Sequence, residues 1–298
     1  MGLNLPNGPD SRAKATPTPH VSSDTSTMRT RTRGRMVAAD YAFLDFPGPL
    51  AFAHRGGSGL DGNTGLENSM AAFQAAVDLG YTYLETDVHV TADGAVVAFH
   101  DASLDRTTGQ AGRVADLTYD ALRGHLIGGR ETIPLLEDVL QTWPRARVNI
   151  DVKVDGAIDP VVRVIRRNAA EDRVCIASFS ERRIRRVRRL LGPNVATAYG
   201  PVGIAALRTL PLDGLRRQLL AAPVPCLQMP WHFRRFEVVT PAFVGRAHAL
   251  GKHVHVWTVD DPDDIRTLLD RGVDGIISDR IDVLRDVLVE RGQWKAAS

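Results

Sequence analysis

The chain has 298 residues, 44% apolar and 24% charged, an ordinary soluble composition long enough for one large α/β domain or two small ones. A formal net charge of +2 gives no global signal for nucleic acid, and the pI near 8.7 reflects abundant arginine rather than a large charge excess. No apolar run reaches the length of a membrane span and no secretory signal opens the chain, so the expected location is the cytoplasm.

Residues 1–37 are rich in Ser, Thr, Pro and Arg and include the basic run "RTRTRGR". They lack the apolar residues needed to offset the entropy of ordering, so a disordered basic tail is expected there and a folded domain over 38–298. From residue 50 the pattern changes to short apolar runs separated by amphipathic stretches. Strands are expected at "LAFA" (50–53), "YLETDV" (83–88), "AVVAFH" (95–100), "RVNIDV" (147–152), "VCIAS" (174–178), "VATA" (195–198), "CLQM" (226–229), "HVHVWT" (253–258) and "DGIIS" (274–278). Helices are expected between most of them, several opening on a capping Asp, Ser or Thr and closing on Gly. Cys175 and Cys226 each sit in an apolar run and read as reduced core residues, not as a disulfide or a zinc site.

Nine strands are one too many for a closed barrel of eight. The turn "TADG" resolves the excess, because a short Asp-Gly turn joins antiparallel strands whereas a parallel partner needs a long crossover. The third run therefore folds back as a hairpin arm on the second, and eight parallel strands remain: a (β/α)8 TIM-type barrel with a hairpin arm after strand two. A doubly wound sheet is disfavoured because no G-x-G-x-x-G turn follows the first strand.

Active sites of such barrels lie where the parallel strands end. The first strand ends in His54 and Arg55, the second carries Glu85 and Asp87 on one face, and the arm returns with His100 and Asp101. The fourth run ends in Asp151 and Lys153, and a later strand ends at Trp257. Taken singly, each has a bland explanation in capping, core packing or surface charge; their coincidence at strand ends argues for a site. Three carboxylates from two strands form a hard oxygen shell suited to Mg2+ or Ca2+. Arg55 and Lys153 would cradle a phosphate, and two histidines can act as acid and base near neutral pH. These parts suit metal-assisted phosphodiester cleavage.

The segments "AHRGG", "ENSMAAF", "LETDVHVTADGAVVAFHDASLDRTTG", "IPLLEDVL", "NIDVK", "HVWTVDD" and "GVDGIISD" resemble the glycerophosphodiester phosphodiesterase family, in order and with compatible spacing. The resemblance implies a (β/α)8 barrel with a small insertion, here about 102–133, that hydrolyses deacylated phospholipids to an alcohol and glycerol 3-phosphate. It implies His54 and His100 as the acid–base pair, Glu85, Asp87 and Asp151 as ligands of Mg2+ or Ca2+, and Arg55 and Lys153 as phosphate contacts. It also implies a first step in which the glycerol hydroxyl beside the phosphate attacks to give a cyclic phosphate, which water then opens. Small-molecule substrates are expected, with neither a nucleic-acid partner nor a membrane span.

The chain departs from the family pattern at Asp151, where Glu is usual, and in the longer loop "HRGGSGLDGNTGLENS". Trp257 and Glu67 are candidate substrate contacts; Glu67 reads either as the first acid of a helix or as a group within reach of the metal. Asp101 reads as orienting His100 or the arm. "ERRIRRVRRLLG" reads as a solvated barrel helix with arginines outward, the lesser reading being an anionic lipid or nucleic-acid contact. The apolar "PCLQMPWHF" (225–233) would suit a lysophospholipase D acting on single-chain lipids, and a phosphate-binding barrel without catalysis is the non-enzyme alternative.

Overall fold

The computed structural model describes residues 1–2, 36–233 and 235–296. Most of the expected N-terminal tail, residues 3–35, lies outside the described residues.

Strands β1 (Leu50–Ala53), β2 (Tyr83–Val90), β4 (Arg147–Val152), β5 (Val174–Ala177), β6 (Ala196–Tyr199), β7 (Cys226–Pro230), β8 (His253–Trp257) and β9 (Gly275–Ser278) form a parallel ring. The ring closes because β1 pairs with both β9 and β2. Strand β3 (Val96–Ala98) runs antiparallel on β2, as the Asp-Gly turn requires, with His89 opposite Val97. The fold is a (β/α)8 barrel with one hairpin arm. The insertion then spans two one-turn helices, Asp105–Thr108 and Tyr119–Leu122, and a short hairpin pairing Leu126–Ile127 with Glu131–Thr132.

Helices α1 (Met70–Asp78), α2 (Leu136–Thr142), α3 (Ile158–Arg167), α4 (Glu181–Leu191), α5 (Pro201–Thr209), α6 (Asp213–Leu219), α7 (Pro241–His248) and α8 (Pro262–Asp270) lie between the strands, and α9 (Ile281–Glu290) follows the last. Side-chain caps start several of them: Ser69 Oγ accepts from Ala72 N–H, Ser180 from Arg183, Thr240 from Phe243 and Asp261 from Asp263 and Asp264. Two apolar layers between strands and helices hold the fold. One includes Leu84, Phe73, Leu227, Phe243 and Ile276, the other Val88, Ile150, Val161, Ile176 and Ile184. Each of these side chains is at most 1% exposed, and burying one fully is worth about 1.5–3 kcal/mol.

Residues 38–46 close the end of the barrel opposite the mouth. Phe43 packs edge-on against Tyr83 at 5.3 Å, and the Tyr83 hydroxyl donates to Phe43 O at 2.7 Å. This plug precedes the point where strand periodicity begins.

Two details differ from the sequence reading. Helices α5 and α6 stand between β6 and β7, in a stretch whose Gly203, Pro211 and Gly214 break up any helical repeat. Helix α1 starts at Met70, so Glu67 lies in the preceding turn and is not a helical acid. Cys175 and Cys226 are buried free thiols, as expected, and their sulfurs meet at 3.8 Å inside the barrel. No described helix is long and apolar enough to cross a membrane.

Candidate active site

The site begins with a tight turn. After β1, Arg55 adopts a left-handed conformation (φ 51°), unusual for a residue with a Cβ, which aims its backbone N–H at Glu85 Oε2, 3.1 Å away. Gly56 must follow: a Cβ there would stand 2.8 Å from Ala72 of α1, so only glycine lets the helix approach this closely.

On β2, Glu85 and Asp87 point inward, and the parallel register sets Asp87 beside Asp151 of β4. Lys153 Nζ lies 2.7 Å from both Asp87 Oδ1 and Asp151 Oδ2. Arg55 Nε sits 3.0 Å from Asp87 Oδ2, though without hydrogen-bond alignment, and its Nη1 donates to Glu67 Oε1 at 3.1 Å. Asn68 Nδ2 also donates to Asp87, at 3.2 Å.

Each candidate histidine is anchored at Nδ1. His54 Nδ1 lies 2.9 Å from Asp279 Oδ1, and His100 Nδ1 lies 2.6 Å from Asp101 Oδ1. A carboxylate only accepts, so both Nδ1 atoms carry the proton and Nε2 is left as the nitrogen able to exchange one. The arm is fastened by His89, whose Nε2 meets His100 O at 3.0 Å, and by Arg106 of the insertion. Arg106 Nε donates to Asp101 at 2.6 Å, and its two terminal nitrogens grip Glu67 at 2.7 and 2.6 Å.

The electrostatics follow from burial and pairing. Burial, then the neighbouring Asp87, push Glu85 up to about 7 against the pull of His54, Arg55 and Lys153. Burial would also raise Asp87, but Lys153 and Arg55 outweigh it and hold that carboxyl below its usual range. Burial lowers His54, yet the Asp279 hydrogen bond and the Glu85 charge more than compensate, so its pKa is raised.

His54, Arg55, Glu85, Asp87, His100, Asp151, Lys153 and Trp257 all line one cavity of about 620 Å³. Glu67 is not on its wall; it stands behind Arg55, held by two arginines. The far wall is apolar, built from Phe179, Ile204, Met229, Phe233 and Trp257, with Phe179 and Trp257 packed edge-on at 5.9 Å. Of "PCLQMPWHF", Met229, Pro230 and Phe233 reach this wall, while Cys226 and Leu227 are buried in the core.

Among the described residues no three carboxylate, imidazole or thiol groups converge as a ready cation cage; Lys153 stands between Asp87 and Asp151. The donor chemistry nonetheless fits a hard divalent cation. Asp151 Oδ1 is buried without a hydrogen-bond partner, and Glu85 is an under-compensated carboxylate beside a second one.

Asp279, Arg106 and Phe179 were not singled out from the sequence. Asp279 follows the last barrel strand, so the rule that placed the other candidates at strand ends also reaches it. Arg106 and Phe179 lie in an insertion and a loop, where no periodicity marks them.

The sequence pattern of the glycerophosphoryl diester phosphodiesterase family matches residues 54–283. The chain belongs to this family. It is 46% identical over 257 residues to the probable glycerophosphodiester phosphodiesterase 2 of Mycobacterium tuberculosis, covering 86% of this chain and 96% of that protein. The human lysophospholipase D GDPD1 is 28% identical over 79% of this chain and 85% of its own length. Among solved structures, a putative glycerophosphoryl diester phosphodiesterase from Silicibacter pomeroyi superposes with a TM-score of 0.69 at 25% identity, covering 85% of this chain and 98% of that one. A phosphodiesterase of Oleispira antarctica, solved with the product sn-glycerol-3-phosphate, shares the fold at TM-score 0.69 and 23% identity, over 81% of this chain and 97% of that one. As a member of this family the protein is a glycerophosphodiester phosphodiesterase, and its (β/α)8 fold is shared with these solved structures.

Proposed function

We propose that this phosphodiesterase hydrolyses glycerophosphodiesters to an alcohol and sn-glycerol 3-phosphate, with His54 and His100 as acid and base. The observation that carries this reading is the pair of imidazoles, each anchored at Nδ1 by an aspartate, on the wall of the cavity that holds Arg55 and Lys153. Arg55 and Lys153 supply fixed positive charge for the phosphoryl oxygens, and both reach the cavity with only partial exposure to water. One histidine takes the proton of the glycerol hydroxyl beside the phosphate as its oxygen bonds to phosphorus. The other gives a proton to the alcohol oxygen whose bond to phosphorus breaks. The cyclic phosphate so formed is opened by water with the two roles exchanged, which returns both rings to their starting state.

Glu85, Asp87 and Asp151 would hold a divalent cation, Mg2+ or Ca2+, which when bound neutralises charge on the phosphoryl oxygens. Support comes from the orphaned Asp151 oxygen and the uncompensated Glu85. Glycerol 3-phosphate release from glycerophosphocholine, measured in EDTA and then with Mg2+ or Ca2+ restored, tests the whole reading. Metal-dependent release is expected, and no release with either ion would overturn it.

A second reading, hydrolysis of single-chain lysophospholipids, is favoured by the apolar wall. Phe179, Ile204, Met229 and Trp257 offer a surface that a glycerol moiety leaves uncovered and an acyl chain would fill. Choline release from lysophosphatidylcholine distinguishes the two.

A further inference from the structure

Exposed apolar side chains are unevenly spread over the barrel. Among the described residues nine large hydrophobics are exposed, and seven of them fall within 179–236. Phe179 (62% exposed) follows β5, Val202 (64%) opens α5 and Leu212 (66%) follows that helix. Phe233 (62%) and Phe236 (69%) face each other across the short hairpin after β7. Several stand at the edge of the catalytic cavity: Phe179, Phe233 and Pro201, the residue before Val202, are part of its wall. A monomer rarely leaves such a set exposed without a use for it.

The same stretch is strongly basic. Residues 179–236 hold eleven arginines and no lysine against two acids, Glu181 and Asp213, a formal +9 within a chain whose total is +2. Some of that charge is answered locally, since Arg183 pairs with Asp155 and Arg186 with Asp159. Arg208, on the cavity wall, and Arg235, in the hairpin of Phe233 and Phe236, remain exposed beside the mouth, whereas Arg185 and Arg189 follow α4 away from it. Aromatic and aliphatic side chains within a field of arginines are the composition that settles at the headgroup level of an anionic membrane.

We propose that the β5–β7 side of the barrel mouth docks on an anionic lipid surface. Phe179, Val202, Leu212, Phe233 and Phe236 enter the interface while the flanking arginines meet anionic headgroups. The mouth of the cavity then opens onto that surface, so an amphiphile can pass from it to the apolar wall without crossing water. The proposal rests on the reading above only in taking the polar end of the cavity as the phosphodiester site.

Sedimentation of the full chain with vesicles tests it, using phosphatidylcholine alone or equal parts phosphatidylcholine and phosphatidylglycerol. The protein is expected to sediment with the anionic vesicles and to be released by high salt. The double variant Leu212→Ser, Phe236→Ser should bind about tenfold more weakly. Arg235→Glu, in the hairpin beside Phe233, should also weaken binding. None of these three residues touches the cavity wall, so circular dichroism and thermal midpoint should be unchanged. Failure of the protein to sediment, equal sedimentation with neutral vesicles, or a Leu212, Phe236 variant that binds like the parent would each overturn the proposal. The last outcome would assign binding to the basic N-terminal stretch, which parent and variant share. A stable dimer with no vesicle binding would assign the patch to a second copy. Sedimentation needs no turnover, so its failure leaves the hydrolytic reading untouched.

Discussion

His54 Nδ1 lies 2.9 Å from Asp279 Oδ1, which ties the first turn of the barrel to the end of its last strand. The carboxylate fixes the ring's tautomer and, together with Glu85, raises its pKa against the effect of burial. Asp279→Asn keeps the shape but removes the charge. It is expected to lower kcat by about 10²–10⁴-fold with little change in KM, as loss of a carboxylate behind a catalytic histidine does. His54→Ala should abolish turnover. An Asp279→Asn enzyme with parental kcat, or an active His54→Ala enzyme, would remove His54 from the mechanism.

Glu85 and Asp87 share one face of β2, and their repulsion adds to the cost of burying Glu85. Glu85→Gln removes that repulsion while keeping volume. In EDTA it should stabilise the fold by about 1–2 kcal/mol, read as a higher thermal midpoint. The parent should gain stability when Mg2+ or Ca2+ is added, and the variant should gain much less. A variant that is less stable in EDTA yet responds fully to the cation would refute the assignment of Glu85 as a ligand.

The barrel was legible because its signals are local: apolar runs at strand length, caps between them, and one Asp-Gly turn that forced β3 to double back. Glu85, Asp87 and Asp151 were legible because alternation puts Glu85 and Asp87 on one face and all three stand near strand ends, where such barrels place their sites. Partnerships across the barrel were not. Asp279 is 225 residues from His54, and no local pattern says which strand end closes the ring beside the first. Of the two readings of Glu67, the helical acid fails because Ser69 caps α1 two residues later, and cap choice depends on the loop's path. The Cys175–Cys226 contact depends on both side chains entering one barrel layer, which the linear spacing hides.

Asp151 Oδ1 is buried without a partner while Oδ2 is held by Lys153. One more methylene would let a carboxylate reach further into the cavity. Asp151→Glu is therefore expected to lower the cation concentration for half-maximal activity by about tenfold. Titration of activity and of thermal midpoint with Mg2+ or Ca2+ should move together. Weaker cation binding in the variant would mean that the shorter side chain is matched to this site.

Away from the site, His253 has its pKa lowered to about 4, chiefly by burial, with Asp274 opposing and His255 and His248 adding to it. A base whose folded pKa lies below its unfolded value of 6.5 is neutral in the native state at pH 7. Its contribution is full above about pH 6.5 and is lost as the pH falls toward 4. His248 acts in the other direction, because its hydrogen bond to Asp274 raises its pKa and favours the folded state as it protonates. The His253 term reaches about 2 kcal/mol at pH 5, before discounting for its partial exposure. Lowering the pH from 7 to 5 should therefore cost the parent about 1–2 kcal/mol more unfolding free energy than it costs His253→Gln. Urea unfolding of both proteins at the two pH values measures the difference directly. Equal losses in parent and variant would show that His253 is protonated in the folded protein by pH 5, and that Asp274 stabilises its charge more than burial opposes it.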